Sequence, residues 1–142
     1  MTNREEDENL IRRLMDSQGR HDWDEILQLL ADDAVFDMPF IAEKYHGKKQ
    51  ILERWRPALE RMEGVEFFDL AFSPMAEPGW YVATFRNRCK VKRTGMDYDQ
   101  MYVSLFHVRN GKVAYFAEYF DTLRLALAQK RVRRIEEVPQ LG

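Results

Sequence analysis

One acidic residue, Glu118, stands in the apolar stretch VAYFAEYF at residues 113–120. The stretch is typical of a β-strand, whose side chains alternate between two faces, so Glu118 shares a face with Phe116 and Phe120. A carboxylate on an apolar face loses its hydration, and its pKa rises unless a cation pairs with it. A carboxyl with a raised pKa suits general acid–base catalysis near neutral pH. The alternative is a structural carboxylate that pairs with a basic residue of a neighbouring strand, and Arg88 is a candidate for that partner.

Asp37 is the second candidate acid. It lies between Phe36 and Met38 on a short predicted strand at residues 34–38, which ends at Pro39. An Asp in that position is either a catalytic base or a side chain that faces solvent, and the sequence leaves both open.

The predicted strand at residues 98–108 places polar tips and aromatic rings on one face. Such a mixture suits a small-molecule pocket, although core packing would use the same residues. Phe40 belongs to a predicted loop over the mouth of that pocket. We expect the residues that contact a substrate to be Tyr98, Gln100, Tyr102, Phe106, Phe116, Phe85, Asn87, Trp55, Met38 and Phe40. The three histidines lack the spacing of metal ligands, so we expect neither a metal nor a cofactor.

Three helices precede the main run of strands. Their start signals are Thr2 with Glu5, Asp22 with Glu25, and Gly47, each followed by apolar residues at the helical period. The first two pairs are typical of helix caps, in which a side-chain oxygen accepts a hydrogen bond from a free backbone N–H.

After Gly64 the apolar period changes from 3.6 to 2, which predicts strands. Asn110-Gly111 is the strongest hairpin signal in the chain, and Thr122 is expected to cap a final helix. The segregation of helices and strands predicts an α+β protein with a four-strand antiparallel meander. The four strands are expected at residues 65–72, 80–92, 98–108 and 113–120.

The strand at residues 98–108 is apolar on both faces, with Tyr102 and Phe106 on one side and Val103 and Leu105 on the other. A sheet of this kind needs a cover on each face. The helices supply one cover, and we expect a second copy of the chain to supply the other, in a homodimer.

The bulk composition favours one globular domain of 142 residues, with a core at about residues 5–130 and a tail at 131–142. The net charge of −2 argues against a general nucleic-acid binder. No apolar run is long enough to span a membrane, and the charged residues at the start of the sequence are unlike a signal peptide. A single cysteine fits a reducing compartment, so we expect a cytoplasmic protein.

Several motifs together resemble the SnoaL-like branch of the nuclear-transport-factor-two fold. They are LADDAVF at residues 30–36, GKKQI at 47–51, NGKV at 110–113 and EYFD at 118–121. The resemblance implies a cone, in which a curved antiparallel sheet wraps around three helices and leaves a deep pocket at its open end, with a further helix at the C-terminus. Such proteins include polyketide cyclases, isomerases, dehydratases and epoxide hydrolases, and others only bind ligands, so the fold places the site without defining the reaction.

The pattern is nearest to the phenazine biosynthesis A/B proteins, through Glu-Pro-Gly at residues 77–79, Tyr98 and Gly-Lys-Val at 111–113. The acid on their last strand aligns with Glu118, whereas their pocket histidine and serine align with Arg54 and Ala58. Ketosteroid isomerases are more distant, because the position of their general base carries Met38 here and that of their oxyanion tyrosine carries Leu14. We therefore do not expect the ketosteroid isomerase mechanism.

Together these features predict an enzyme that acts on an apolar cyclic or aromatic small molecule. The predicted chemistry is proton transfer of the lyase, isomerase or cyclase type, with Glu118 as the general acid or base. The alternative is a module of the same fold that binds a small ligand or dimerises without chemistry.

Overall fold

A computed structural model describes residues 3–131, and in it six strands form one curved sheet in the order β2-β1-β6-β5-β4-β3. The four helices are α1 (Arg4–Arg20), α2 (Trp23–Leu29), α3 (Gly47–Glu60) and α4 (Thr122–Ala128). The strands are β1 (Leu30–Met38), β2 (Glu43–His46), β3 (Met62–Pro74), β4 (Trp80–Val91), β5 (Asp97–Arg109) and β6 (Lys112–Phe120). No helix within residues 3–131 is long and apolar enough to cross a membrane.

The predicted antiparallel meander is confirmed as β3 to β6. The hairpin between β5 and β6 turns at Asn110 and Gly111, with φ of 52° and 70°, as the dipeptide indicated. The prediction missed that β1 adds to β6 in parallel, with Phe36 opposite Phe116 and Asp37 opposite Ala117. The sheet is therefore mixed, and β1 is longer than the predicted strand because its backbone pairs with β6 from Leu30 onward.

Two helix caps differ from the prediction by one residue. The side chain of Asn3 accepts hydrogen bonds from the backbone N–H groups of Glu5 and Glu6, so Asn3 caps α1, and Thr2 lies outside the described residues. The side chain of Asp121, not Thr122, caps α4. In both cases a short Asx side chain on extended backbone reaches the free N–H groups of the first turn. Asp22 caps α2 as predicted, through the N–H of Glu25.

Aromatic side chains fill the narrow end of the cone. Phe106 and Phe116 stack with their ring centroids 4.4 Å apart, and Phe36 lies 5.3 Å from Phe116. Trp55 of α3 meets Phe36 edge-on at 5.1 Å. This cluster fixes α3 against the inner face of the sheet, and α3 thereby forms one wall of the open end.

A buried hydrogen bond ties α1 to β4. The hydroxyl of Tyr81 donates to Oδ2 of Asp7 over 2.6 Å, and both side chains are buried. A buried carboxylate needs such a partner, because its hydration is lost on folding.

We predict that Tyr81→Phe lowers the free energy of unfolding by about 2 kcal/mol, since the Asp7 carboxylate then stays buried without that donor. Urea unfolding followed by circular dichroism measures the change. Tyr119→Phe is the matched control, because the Tyr119 hydroxyl has no side-chain hydrogen bond within residues 3–131. Equal stability of the two variants would contradict the prediction.

Candidate active site

A cavity of about 640 Å³ opens between the inner face of the sheet, α3 and α4. Its apolar walls include Phe36 and Met38 of β1, Trp55 of α3, Phe67 of β3 and Phe120 of β6. A volume of this size suits a small organic molecule. The polar groups that reach the cavity therefore decide what can happen in it.

Glu118 is one of those groups. It points into the cavity from β6, opposite Ser104 of β5, and its carboxylate has no hydrogen bond or ion pair with any residue in 3–131. Burial raises its pKa from an ordinary value of 4.5 to about 7, and the positive charge of Arg54 partly opposes that rise. Part of its surface stays accessible because it borders the cavity. Near neutral pH the carboxyl is therefore present in both its protonated and its ionised form.

Arg54 of α3 lines the same cavity but is bonded elsewhere. Its Nε donates to Oε2 of Glu43 over 3.1 Å, and the same oxygen accepts a 2.6 Å hydrogen bond from the Tyr45 hydroxyl. The bond from Tyr45 is the main cause that lowers the pKa of Glu43. The guanidinium of Arg54 is hydrogen-bonded to Glu43. Its charge therefore lowers the pKa of Glu118 only in part, and it does not pair with the Glu118 carboxylate.

Two tyrosines of β5 border the same cavity as Glu118. Burial raises the pKa of Tyr98 to about 12 and that of Tyr102 well above its usual value, so both hydroxyls keep their protons and can donate hydrogen bonds. The Tyr102 ring is held by stacking on Phe85 at 4.9 Å. Gln100 positions Tyr98, since its Nε2 donates to the Tyr98 hydroxyl over 2.9 Å and to the carbonyl of Asp121 over 2.8 Å.

The structure brings six of the predicted site residues to the cavity and leaves six outside it. The cavity is lined by Glu118, Tyr98, Tyr102, Asn87, Trp55 and Met38. Four of the others are buried behind the lining and do not border the cavity, namely Gln100, Phe85, Phe106 and Phe116. The side-chain NH₂ group of Gln100 already donates both of its hydrogen bonds within the protein. The inward direction predicted for Phe85 and Asn87 is confirmed, since both are buried.

Asp37 and Phe40 lie outside the cavity. Asp37 takes the opposite face of β1 from Phe36 and Met38, where its Oδ2 accepts a 3.0 Å hydrogen bond from the Tyr115 hydroxyl. Phe40 is 66% exposed and packs on Tyr119 instead of covering the mouth of the cavity. The prediction fails for Phe40 alone, because Ile41 of the same turn borders the cavity; Glu43–His46, after the turn, pairs with β1 as a strand.

The alternative partner suggested for Glu118 was also wrong. Arg88 projects from the exposed face of β4, where its guanidinium lies over the ring of Phe68 and 4.0 Å from Asp99. Because side chains alternate along a strand, Asn87 faces the inside of the cone and its neighbour Arg88 faces the outside.

Sequence reasoning missed Arg54 and Glu43 as a pair, because they are 11 positions apart on different elements. The predicted contact residues also left out Phe67 and Phe120, although strand alternation had put Phe120 on the face of Glu118. Within residues 3–131, no group of three His, Cys, Asp or Glu side chains is arranged to hold a metal ion.

The SnoaL-like domain family model matches residues 11–116, which is most of the chain, and the protein therefore belongs to that family. Among solved structures, a candidate isomerase of Bacillus subtilis is 22% identical, with a TM-score of 0.85 over 93% of this chain and 98% of the other. A candidate polyketide cyclase of Xanthomonas campestris pv. campestris is 18% identical, with a TM-score of 0.79 over 89% and 98%.

A phenazine biosynthesis-related protein of Pseudomonas aeruginosa is 16% identical, with a TM-score of 0.78 over 98% of this chain and 86% of the other. These similarities show the nuclear-transport-factor-two-like cone that the sequence motifs indicated. No curated protein gives a significant sequence match.

The raised pKa of Glu118 makes the stability of the protein depend on pH. The unfolded carboxyl ionises near 4.5 and the folded one near 7, so the folded state holds more protons between these values and loses stability as pH rises through them. Glu118→Gln removes this titration. We predict that the variant gains about 2 kcal/mol over the wild type between pH 5 and pH 8.

Urea unfolding of both proteins at the two pH values measures that gain. Glu66→Gln is the control, because Glu66 is exposed on β3. A difference between Glu118→Gln and wild type that is the same at pH 5 and pH 8 would show that the carboxyl is not desolvated.

Proposed function

We propose that this SnoaL-like protein is an enzyme that transfers protons without a cofactor, in lyase, isomerase or cyclase chemistry on an apolar cyclic or aromatic molecule. The observation that carries the proposal is the Glu118 carboxyl, which lies unpaired among residues 3–131 in a ring-lined cavity with a pKa of about 7. A general base works best when its pKa is near the working pH.

The proposed reaction begins at a carbon next to a carbonyl group. The ionised Glu118 takes a proton from that carbon, and the electron pair of the C–H bond moves to the carbonyl oxygen to form an enolate. The hydroxyl of Tyr102 donates a hydrogen bond to that oxygen. The protonated Glu118 then returns the proton to a different atom, which isomerises the substrate, or to a leaving group, which completes an elimination.

The cavity supports this chemistry in two further ways. Its aromatic walls reduce the polarity around the reacting atoms, which strengthens hydrogen bonds to a developing negative charge. Two solved structures of the same fold are described as a candidate isomerase and a candidate polyketide cyclase, which supports chemistry on a small molecule.

We predict that the protein accelerates the exchange of the methyl protons of 2-acetonaphthone with deuterium in heavy water, and that Glu118→Gln reduces the protein-dependent rate at least 100-fold. The reason is that Gln has the same shape and cannot accept the proton. Proton NMR of the methyl signal measures the rate. Equal rates for wild type and variant would refute the role of Glu118.

A pH profile separates catalysis from a structural effect. Arg54→Met removes the charge that lowers the pKa of Glu118, so the half-maximal exchange rate should move to higher pH. A lower rate with an unmoved profile would contradict the proposed electrostatic role of Arg54.

The second candidate function is a module that binds a small ligand without chemistry. The position of Asp37 favours it, because the second predicted acid lies outside the cavity and leaves Glu118 without that helper. Tight binding of a ketone with no exchange above the uncatalysed rate would select this function.

We also propose that a second copy covers the outer face of the sheet. On β5, Met101 is 65% exposed and Val103 48% exposed, an unusual amount of apolar surface for the middle strands of a sheet.

The cytoplasmic location and the lack of cofactor, membrane and nucleic-acid partners stay predictions.

Val103→Asp should therefore convert a dimer into a monomer, because it buries a charge in the interface. Light scattering after size-exclusion chromatography measures the mass. Asn9→Asp adds the same charge on the exposed side of α1 and should leave the dimer intact. A wild-type protein that is monomeric at 100 μM would refute the proposal.

A further inference from the structure

Asn87 is a buried polar residue with an unused acceptor. It lies on the inner face of β4, is 5% exposed and lines the cavity. Its Oδ1 has no hydrogen-bond partner within residues 3–131. A buried amide oxygen without a partner costs stability, so a fold that keeps one at a cavity wall points to a donor that comes from outside the chain.

The orientation of this amide is set by its neighbours. Nδ2 of Asn87 donates to Sγ of Cys89 over 3.6 Å, and the Cys89 thiol donates to the carbonyl of Tyr98 over 3.8 Å. Burial raises the pKa of the Cys89 thiol, which therefore keeps its hydrogen. Since that hydrogen is directed at Tyr98, the sulfur presents its lone pairs to Asn87. The NH₂ group of Asn87 must face the sulfur, which leaves the oxygen, and not the nitrogen, without a partner.

Asn87 and Glu118 stand at separate places in the cavity. Glu118 lies opposite Ser104, and Ser104 lies opposite Ala83, four residues before Asn87 on β4. Four residues along a strand and two strand spacings correspond to about 14 Å and about 10 Å on the sheet surface. The backbone positions of the two groups are therefore well separated on the sheet, and we place them against different parts of a ligand. The rings of Tyr102 and Phe67 also line the cavity, and they offer apolar contact to the body of a molecule that reaches both groups.

We propose that the Asn87 oxygen accepts a hydrogen bond from a hydroxyl or amino group of the substrate, at the opposite end of the molecule from the atom that Glu118 deprotonates. The substrate is then an elongated ring compound, with a carbonyl at one end and a hydrogen-bond donor at the other. This inference rests on the proposed function in taking the cavity as the substrate site and Glu118 as the base. Asn87 is a specificity residue, because a ligand without the donor leaves its oxygen unpaired.

The test compares two probes, 6-hydroxy-2-acetonaphthone and 2-acetonaphthone, which differ only in the remote hydroxyl. Isothermal titration calorimetry at pH 6 measures the affinity of each for the wild type, Asn87→Leu and Asn87→Ala. Leu keeps the approximate size of Asn without the acceptor, and Ala covers the case in which the Leu variant does not fold. Arg88→Gln, on the outer face of the same strand, is the control.

We expect the hydroxyl to improve affinity for the wild type and for Arg88→Gln by about ten-fold, and to give no improvement in either Asn87 variant. No preference for the hydroxylated probe in the wild type, including a failure of both probes to bind, would overturn the inference, because the oxygen would then have no part in binding. A preference that survives in the Asn87 variants would overturn it too.

Glu118→Gln tells this inference apart from the proposed function. If the hydroxyl contacts Asn87, its ten-fold advantage should persist in Glu118→Gln, because the two sites are distant and independent. Loss of the advantage in that variant would place the hydroxyl at Glu118 and overturn the inference. Conversely, proton exchange that continues in Glu118→Gln would remove the proposed chemistry and leave the binding role of Asn87 intact.

Discussion

The loss of hydration at one carboxyl group is the constraint on which this site depends. Glu118 lies on the inner face of a curved sheet, and aromatic rings make up much of that face. A carboxylate in such a place either finds a cation or holds its proton more tightly. Here Arg54, the cation whose charge opposes that rise, is bonded to Glu43, so desolvation prevails and the pKa of Glu118 rises to about 7.

Aromatic packing elsewhere in the cone holds Arg54 in position relative to Glu118. The stacked rings of Phe106 and Phe116 and the edge contact from Trp55 fix α3 at a set distance from the sheet, and α3 carries Arg54. A rigid, close-packed narrow end is what allows the open end to remain hollow. The packing and the electrostatics of the site are thus two consequences of one arrangement of aromatic residues.

The site combines one titrating carboxyl with groups that do not titrate near neutral pH. Tyr98 and Tyr102 stay protonated and donate hydrogen bonds, and Asn87 offers an acceptor whose direction Cys89 sets. One proton-transfer group with fixed donors and acceptors around it is a minimal set for chemistry next to a carbonyl group. The family fold supplies the hollow, and these few side chains determine what it can do.

The sequence by itself determined the α+β class, the meander and the inward position of Glu118, because strand alternation and the Asn110-Gly111 turn act over a few residues. The position of Phe40 and the bond from Arg54 to Glu43 were decided only by the tertiary structure. Both depend on the pairing of Glu43–His46 with β1 and on the packing of α3 beside these strands, and the polar residues of Glu43–His46 do not mark that segment as a strand. For the same reason the sequence could place a carboxylate among aromatic rings but could not show whether a cation neutralises it.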